Sequence, residues 1–320
     1  MKKILVTGAA GQIGSELTIK LRENYGDANV IATGHKKKPD PSLMECGPFH
    51  YIDCIRPETI AEVVKKYQVT TIYHLAAVLS AKAEENPQLA WDANLIGLYN
   101  VLEVAREYGC RVFTPSSIGA FGPTTPLDNT PQDTIQRPNT MYGVTKVAGE
   151  LICDYYFKRF GVDTRGVRYP GLISYKTPPG GGTTDYAVEI FYHALEQGKY
   201  TCYLQESTYL DMMYMPDALK AAVEVMEADP SKLRHRNAFN VSAMSFAPEH
   251  IAAEIRKHIP AFTMDYEVDP VRQGIAESWP NYMDDTAARE EWDWQPDYDL
   301  ESMTREMLEK LSEKLGISFD

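Results

Sequence analysis

From its first residues the chain alternates between short apolar runs and segments whose apolar positions recur at helical spacing. Residues 3–7 form a β-branched-rich run ending at Gly8, and Ile13, Leu17 and Leu21 then repeat every four residues over 13–22, the spacing of a helix that buries one face. The same pair of signals returns down the chain. Strands are expected at 30–33, 71–75, 111–114 and 164–168, and helices at 58–67 (Ile60, Val63 and Val64 inward), 89–108 and 140–160. Such alternation predicts parallel strands joined by crossover helices and buried on both faces. The expected fold is therefore an α/β, doubly wound parallel sheet over residues 1–170, completed by part of 205–245.

The pattern breaks in the stretch 177–184, where Pro178, Pro179 and three consecutive glycines favour irregular backbone. A smaller C-terminal α/β substrate-binding part is expected from 171–204 and 246–320, with helices near 185–197, 248–258 and 300–315 and a further one at 216–228. There is no internal repeat.

Composition narrows the function. Of the 320 residues 44% are hydrophobic and 24% charged, and no segment holds the roughly 18 uninterrupted apolar residues that a membrane span requires. The start lacks the apolar core of a signal peptide, so the expected location is the cytoplasm. A net charge of −13 opposes binding to nucleic acid, and the one basic run, Lys36 to Lys38, is short. Five scattered cysteines without a C-x-x-C pair read as reduced thiols, and no spacing suggests a metal site.

Gly8, Gly11 and Gly14 stand between the first strand and the first helix, the context in which a glycine-rich loop binds a dinucleotide. The glycines allow a tight turn and close approach to a pyrophosphate, while Gln12 and Ile13 open a helix whose free N–H groups face it. Asp53 is expected either to accept from the adenine amino group or to serve a helix start. His74 closes the third strand, and after it Leu75 with the small residues Ala76 and Ala77 allow a cofactor to pass closely. The second strand ends Thr33, Gly34, His35, Lys36. It lacks the acid that usually holds the ribose 2′-hydroxyl of NAD.

Tyr142 and Lys146 lie four apart on a helix and so share a face. A free phenol keeps its proton to about pH 10, so a tyrosine acting as base needs its anion stabilised, which an ammonium does. Ser117 ends the preceding strand, where open α/β sheets place their ligands. Together the glycine loop, Ser117 and Tyr142-x-x-x-Lys146 resemble the extended short-chain dehydrogenase/reductases, the Rossmann-fold superfamily of NAD-dependent epimerases and dehydratases. Segments 115–122, 168–187, 279–285 and 292–296, with Ala288 and Arg289, are similar to the short-chain type of L-threonine 3-dehydrogenase, and that similarity spans nearly the whole chain.

The resemblance implies NAD as cofactor, no metal, and oxidation of the β-hydroxyl of L-threonine to 2-amino-3-oxobutyrate. Tyr142, Lys146 and Ser117 would be catalytic, and Tyr142, Lys146 and Tyr169 would also meet the cofactor. Ser80, Ser117, Tyr142, Thr183 and Thr184 would hold the amino acid, with Trp279 covering it and Asp185 a candidate for its ammonium. Plain structural roles compete: a helix start for Ser80, a helix cap for Thr183 and Thr184, a core aromatic for Trp279. A homodimer is expected through helices flanking the Tyr142 region. The alternatives are a sugar-nucleotide epimerase or dehydratase of the same fold and a non-catalytic dinucleotide sensor. The presence of both Tyr142 and Lys146 counts against the second.

Overall fold

The computed structural model describes residues 2–36, 38–180 and 182–317; Lys37 of the basic run and Gly181 of the glycine stretch lie outside them. The chain divides into two compact units, one formed by Met1–Ala120, Pro138–Arg168 and Leu219–Phe239, the other by Phe121–Arg137, Tyr169–Ala218 and Asn240–Asp320. The expected division is residues 1–170 completed by part of 205–245, with the rest as the second part. Residues 121–137 group with the second unit, and of 205–245 only 219–239 join the first.

The first unit is built on β1 (Ile4–Thr7), β2 (Val30–Gly34), β3 (Phe49–Tyr51), β4 (Thr71–His74), β5 (Arg111–Phe113), the short β6 (Ser116–Ser117) and β7 (Thr164–Arg165). Six of them pair in the order β3-β2-β1-β4-β5-β7, parallel throughout. This is the expected doubly wound α/β sheet. The strand order reverses at β1 and β4, the point where such sheets open a crevice beyond their carboxyl ends. Its helices are α1 (Gln12–Tyr25), α2 (Pro41–Glu45), α3 (Pro57–Tyr67), α4 (Ser80–Glu85), α5 (Pro87–Ala90), α6 (Gly97–Tyr108) and α7 (Met141–Phe160). Leu5, Ile31, Ile72 and Val112 of the sheet pack with Ile60, Val64, Val101, Leu102 and Cys153 of α3, α6 and α7 in one core.

Two expectations need correction. The helix read over 89–108 is interrupted by a wide π-helical segment at Trp91–Ile96, which the apolar spacing alone does not disclose. The strand read over 164–168 is two strands, β7 and β8 (Val167–Tyr169), separated by Gly166. There the backbone passes so near the Thr114 carbonyl that a Cβ at 166 would sit 2.3 Å from its oxygen.

The second unit has its own core. Here β11 (Leu210–Tyr214) lies between β9 (Gly171–Ile173), parallel to it, and β13 (Met244–Phe246), antiparallel, while β10 (Lys199–Cys202) pairs in parallel with β14 (Thr263–Tyr266). The short β12 (Phe239–Asn240) and α9 (Met215–Glu227) run across the boundaries between units. The remaining helices are α8 (Tyr186–Gln197), α10 (Pro248–His258), α11 (Pro270–Ala276), α12 (Thr286–Trp292) and α13 (Leu300–Leu315). Phe191, Tyr214, Phe246, Ile251 and Leu308 are among its buried side chains. No helix among the described residues is long and apolar enough to cross a membrane.

Candidate active site

The glycine loop follows directly from β1. Gly8 adopts φ +71°, and a Cβ there would stand 2.6 Å from the Ala76 nitrogen, so the turn after β1 and the segment after β4 approach to a distance only glycine permits. Gly14 is equally constrained, since a Cβ would lie 2.2 Å from the Gly8 oxygen. Gly11 differs: it is exposed, and a Cβ there would meet only the Gly8 carbonyl, at 3.1 Å. Its Cβ-free face is therefore open to a ligand. The first turn of α1, carrying Gln12 and Ile13, has no side-chain cap at Gly11 and no acidic residue. An uncapped helix start behind an open glycine suits a pyrophosphate, and the residues present fit a dinucleotide.

Beside this loop, His74 at the end of β4 bonds through Nδ1 to the Thr7 hydroxyl at 2.8 Å, while its buried Nε2 has no partner. Burial, helped by the nearby Lys146 ammonium, pushes its pKa down to about 3, so the ring is neutral. Leu75 and Ala76 are half-buried and Ala77 is exposed, lining the chain as it leaves β4. Asp53 does not cap α3, whose N-cap is Arg56; its carboxylate accepts from the Ile55 N–H at 3.1 Å and stands 3.7 Å from His35.

Tyr142 and Lys146 sit in the first turns of α7, which Thr140 caps by accepting from the Gly143 N–H at 3.1 Å. The Lys146 ammonium donates to the Pro115 carbonyl at 2.7 Å and stands 5.4 Å from the centre of the Tyr142 ring. Ser117 ends β6, and its hydroxyl accepts from the Gly119 N–H at 3.1 Å. A Cβ at Gly119 would lie 3.2 Å from Tyr142 Cε1 and 3.5 Å from Ser117 Oγ. The first unit thus brings the phenol, the ammonium and the serine hydroxyl together around one turn. A buried ion pair supports it from behind: Arg168 grips Glu150 of α7 at 2.9 and 3.1 Å, and Glu150 also accepts from Ser116, next to Ser117.

One contributor escaped the sequence reading. Asn94, in the π-helical segment, accepts from the Val78 N–H at 2.7 Å and donates to the Val78 carbonyl at 3.0 Å and to Thr145 Oγ1 at 3.1 Å. It ties the segment after β4 to α7, one residue from Lys146. Its signal in the sequence is faint: an amide between Ala93 and Leu95 in a stretch that also carries Asp92 and Asn100.

Other expected residues have defined places. Ser80 is half-buried and is the first residue of α4. Tyr169 is buried, with its hydroxyl donating to the Ala218 carbonyl at 2.6 Å, and burial raises its pKa. In the second unit Thr183 and Thr184 open a short 3₁₀ turn before α8, Thr183 buried and Thr184 half-buried. Trp279 is half-buried against that unit's core. The Asp185 carboxylate accepts from the N–H groups of Gly180 and Gly182, at 2.7 and 2.8 Å, and so ties those two residues to the start of α8. Among the described residues no three His, Cys, Asp or Glu side chains stand together to hold a metal ion.

Residues 4–242 match the model of the NAD dependent epimerase/dehydratase family. An uncharacterised epimerase/dehydratase of Staphylococcus haemolyticus is 56% identical over 314 residues, covering 98% of this chain and 99% of that protein. Among solved structures, an L-threonine dehydrogenase from Clostridium difficile is 60% identical with a TM-score of 0.97, covering 99% of both chains. An L-threonine dehydrogenase from Phytophthora infestans is 50% identical with a TM-score of 0.94, covering 98% of this chain and all of that one, at 100%.

Proposed function

Because the chain belongs to the NAD dependent epimerase/dehydratase family, we propose that it is a metal-independent L-threonine 3-dehydrogenase, oxidising the β-hydroxyl of L-threonine to 2-amino-3-oxobutyrate. The observation that carries the reading is the full-length likeness, at 60% identity, to an L-threonine dehydrogenase. The chemistry of the first unit is consistent with it.

NAD⁺, when bound, supplies the acceptor for the hydride leaving the substrate carbon. Gly8, Gly11, Gln12, Ile13 and Gly14 hold its pyrophosphate, Asp53 the adenosine end, and Leu75, Ala76, Ala77, Tyr142, Lys146 and Tyr169 the remainder. The phenol oxygen of Tyr142, as the anion, takes the proton of the substrate hydroxyl. Lys146, its ammonium 5.4 Å from the centre of the Tyr142 ring, supports that anion by charge attraction. Its bond to Pro115 uses one N–H and leaves two for a ribose hydroxyl. Ser117 donates to the reacting oxygen, its own lone pair already engaged by the Gly119 N–H. Ser80, Thr183 and Thr184 serve the amino-acid end and Trp279 covers it. Exposed Tyr99, Leu151 and Tyr155 on α6 and α7 offer an apolar face for a second copy, and the dimer works in the cytoplasm on a small molecule.

The experiment is to mix purified protein with NAD⁺ and either L-threonine or a UDP-sugar. Reduced nicotinamide absorbance appearing with L-threonine supports the proposal. Turnover of the UDP-sugar with none of L-threonine assigns the same Tyr and Lys to an epimerase.

A further inference from the structure

The end of β2 raises a question of charge. Sheets that prefer NAD usually end their second strand on an acid, which holds the ribose 2′-hydroxyl and repels the 2′-phosphate of NADP. Here β2 ends on Gly34, and the exposed His35 and Lys36 follow. Taken alone, that end of the strand would attract a phosphate.

The neighbouring strand changes the balance. β2 and β3 run parallel with Gly34 opposite Tyr51, and the Ile52 N–H donates to the Gly34 carbonyl at 2.9 Å. The chain leaving β3 therefore emerges beside the chain leaving β2, and Asp53 Oδ2 comes within 3.7 Å of His35 Nε2. This carboxylate has a fixed direction. Its Oδ1 accepts from the Ile55 N–H at 3.1 Å, its own N–H donates to Thr59 Oγ1 at 3.1 Å, and that hydroxyl donates back to the Asp53 carbonyl at 2.9 Å.

We infer that Asp53 sets the preference for NAD over NADP, supplying from β3, beside His35, the negative charge that β2 lacks where a 2′-phosphate would arrive. Contact with the adenine amino group is a different role with a different signature. Both cofactors carry adenine, so losing that contact weakens both by the same factor. Losing a charge that repels the 2′-phosphate changes their ratio.

The test measures equilibrium binding of NAD⁺ and NADP⁺ to the cofactor-free protein by calorimetry, so it is independent of the substrate proposed above. Asp53→Asn keeps an oxygen for the Ile55 N–H while removing the charge. The ratio of the NADP⁺ to the NAD⁺ dissociation constant should fall by roughly five- to tenfold, and by less at high salt. An unchanged ratio, with both constants raised alike, overturns the inference. If Asp53→Asn does not fold, Asp53→Ser, which also keeps an oxygen for the Ile55 N–H, decides by the same ratio: a several-fold fall supports the inference, and an unchanged ratio overturns it.

Discussion

Replacing Gly119 by alanine should slow catalysis without weakening cofactor binding. The added methyl carbon would sit 3.2 and 3.3 Å from Cε1 and Cδ1 of Tyr142, several tenths of an ångström inside ordinary contact. The ring cannot be relieved by lifting α7. A Cβ at Gly143 would lie only 2.3 Å from the Gly119 oxygen and 2.4 Å from Pro138, which shows how closely the helix start already seats on this turn. The phenol must therefore swing away from Ser117 by a few tenths of an ångström. Since misplacement by 1 Å can cost about 10²-fold, the expected loss in kcat is roughly three- to tenfold, with overpacking costing about 1–2 kcal/mol of stability. Steady-state kinetics with L-threonine, NAD⁺ binding and a thermal melt on the same preparation check this. A folded variant with unchanged kcat, or one that loses only NAD⁺ affinity, would refute the claim that Gly119 positions Tyr142.

Tyr142→Phe keeps the ring and removes the proton acceptor, so turnover should fall by at least about 10²-fold while NAD⁺ still binds in calorimetry. Asp185→Ala frees the N–H groups of Gly180 and Gly182; limited proteolysis within 177–184 should speed up and KM for L-threonine should rise several-fold, with NAD⁺ affinity unaffected. His74 makes stability depend on pH in a defined direction. Its folded pKa of about 3 lies below the ordinary 6.5, so its contribution is complete above pH 6.5 and is lost as pH falls towards 3. The slope should approach 1.4 kcal/mol per pH unit. Between about pH 7 and about pH 5, His74→Gln should lose roughly 2 kcal/mol less stability than the parent in urea titrations, and equal losses would contradict a buried neutral imidazole.

What the sequence disclosed and what it withheld have physical reasons. Strands buried on both faces and helices with one apolar face write their periods into the chain, so β1, β2, β4 and α7 were legible almost to the residue. Gly8 and Gly14 were legible because a close approach of backbones admits no side chain. The π-helical segment was not, because its apolar positions differ too little from helical spacing. Nor was the split at Gly166, which depends on the distant Thr114 carbonyl. That Tyr142, Lys146 and Ser117 come together was legible from spacing and strand context, but the contacts of Asn94 and Gly119 are with neighbours that only the folded chain supplies. Asp53 illustrates the same limit: its sequence position suggested adenine or a cap, whereas its place beside His35 follows from the β2–β3 register.

The proposed activity requires hydride to leave the β-carbon of L-threonine for NAD⁺, and isotopic transfer tests that step most directly. L-threonine carrying deuterium at its β-carbon is incubated with the protein and NAD⁺, and the reduced cofactor is isolated and read by proton NMR and mass spectrometry. The account predicts one deuterium per reduced nicotinamide, on the ring carbon opposite the nitrogen, and its loss in Tyr142→Phe. Reduced cofactor formed without deuterium, or no reduced cofactor from L-threonine at any concentration, would contradict it.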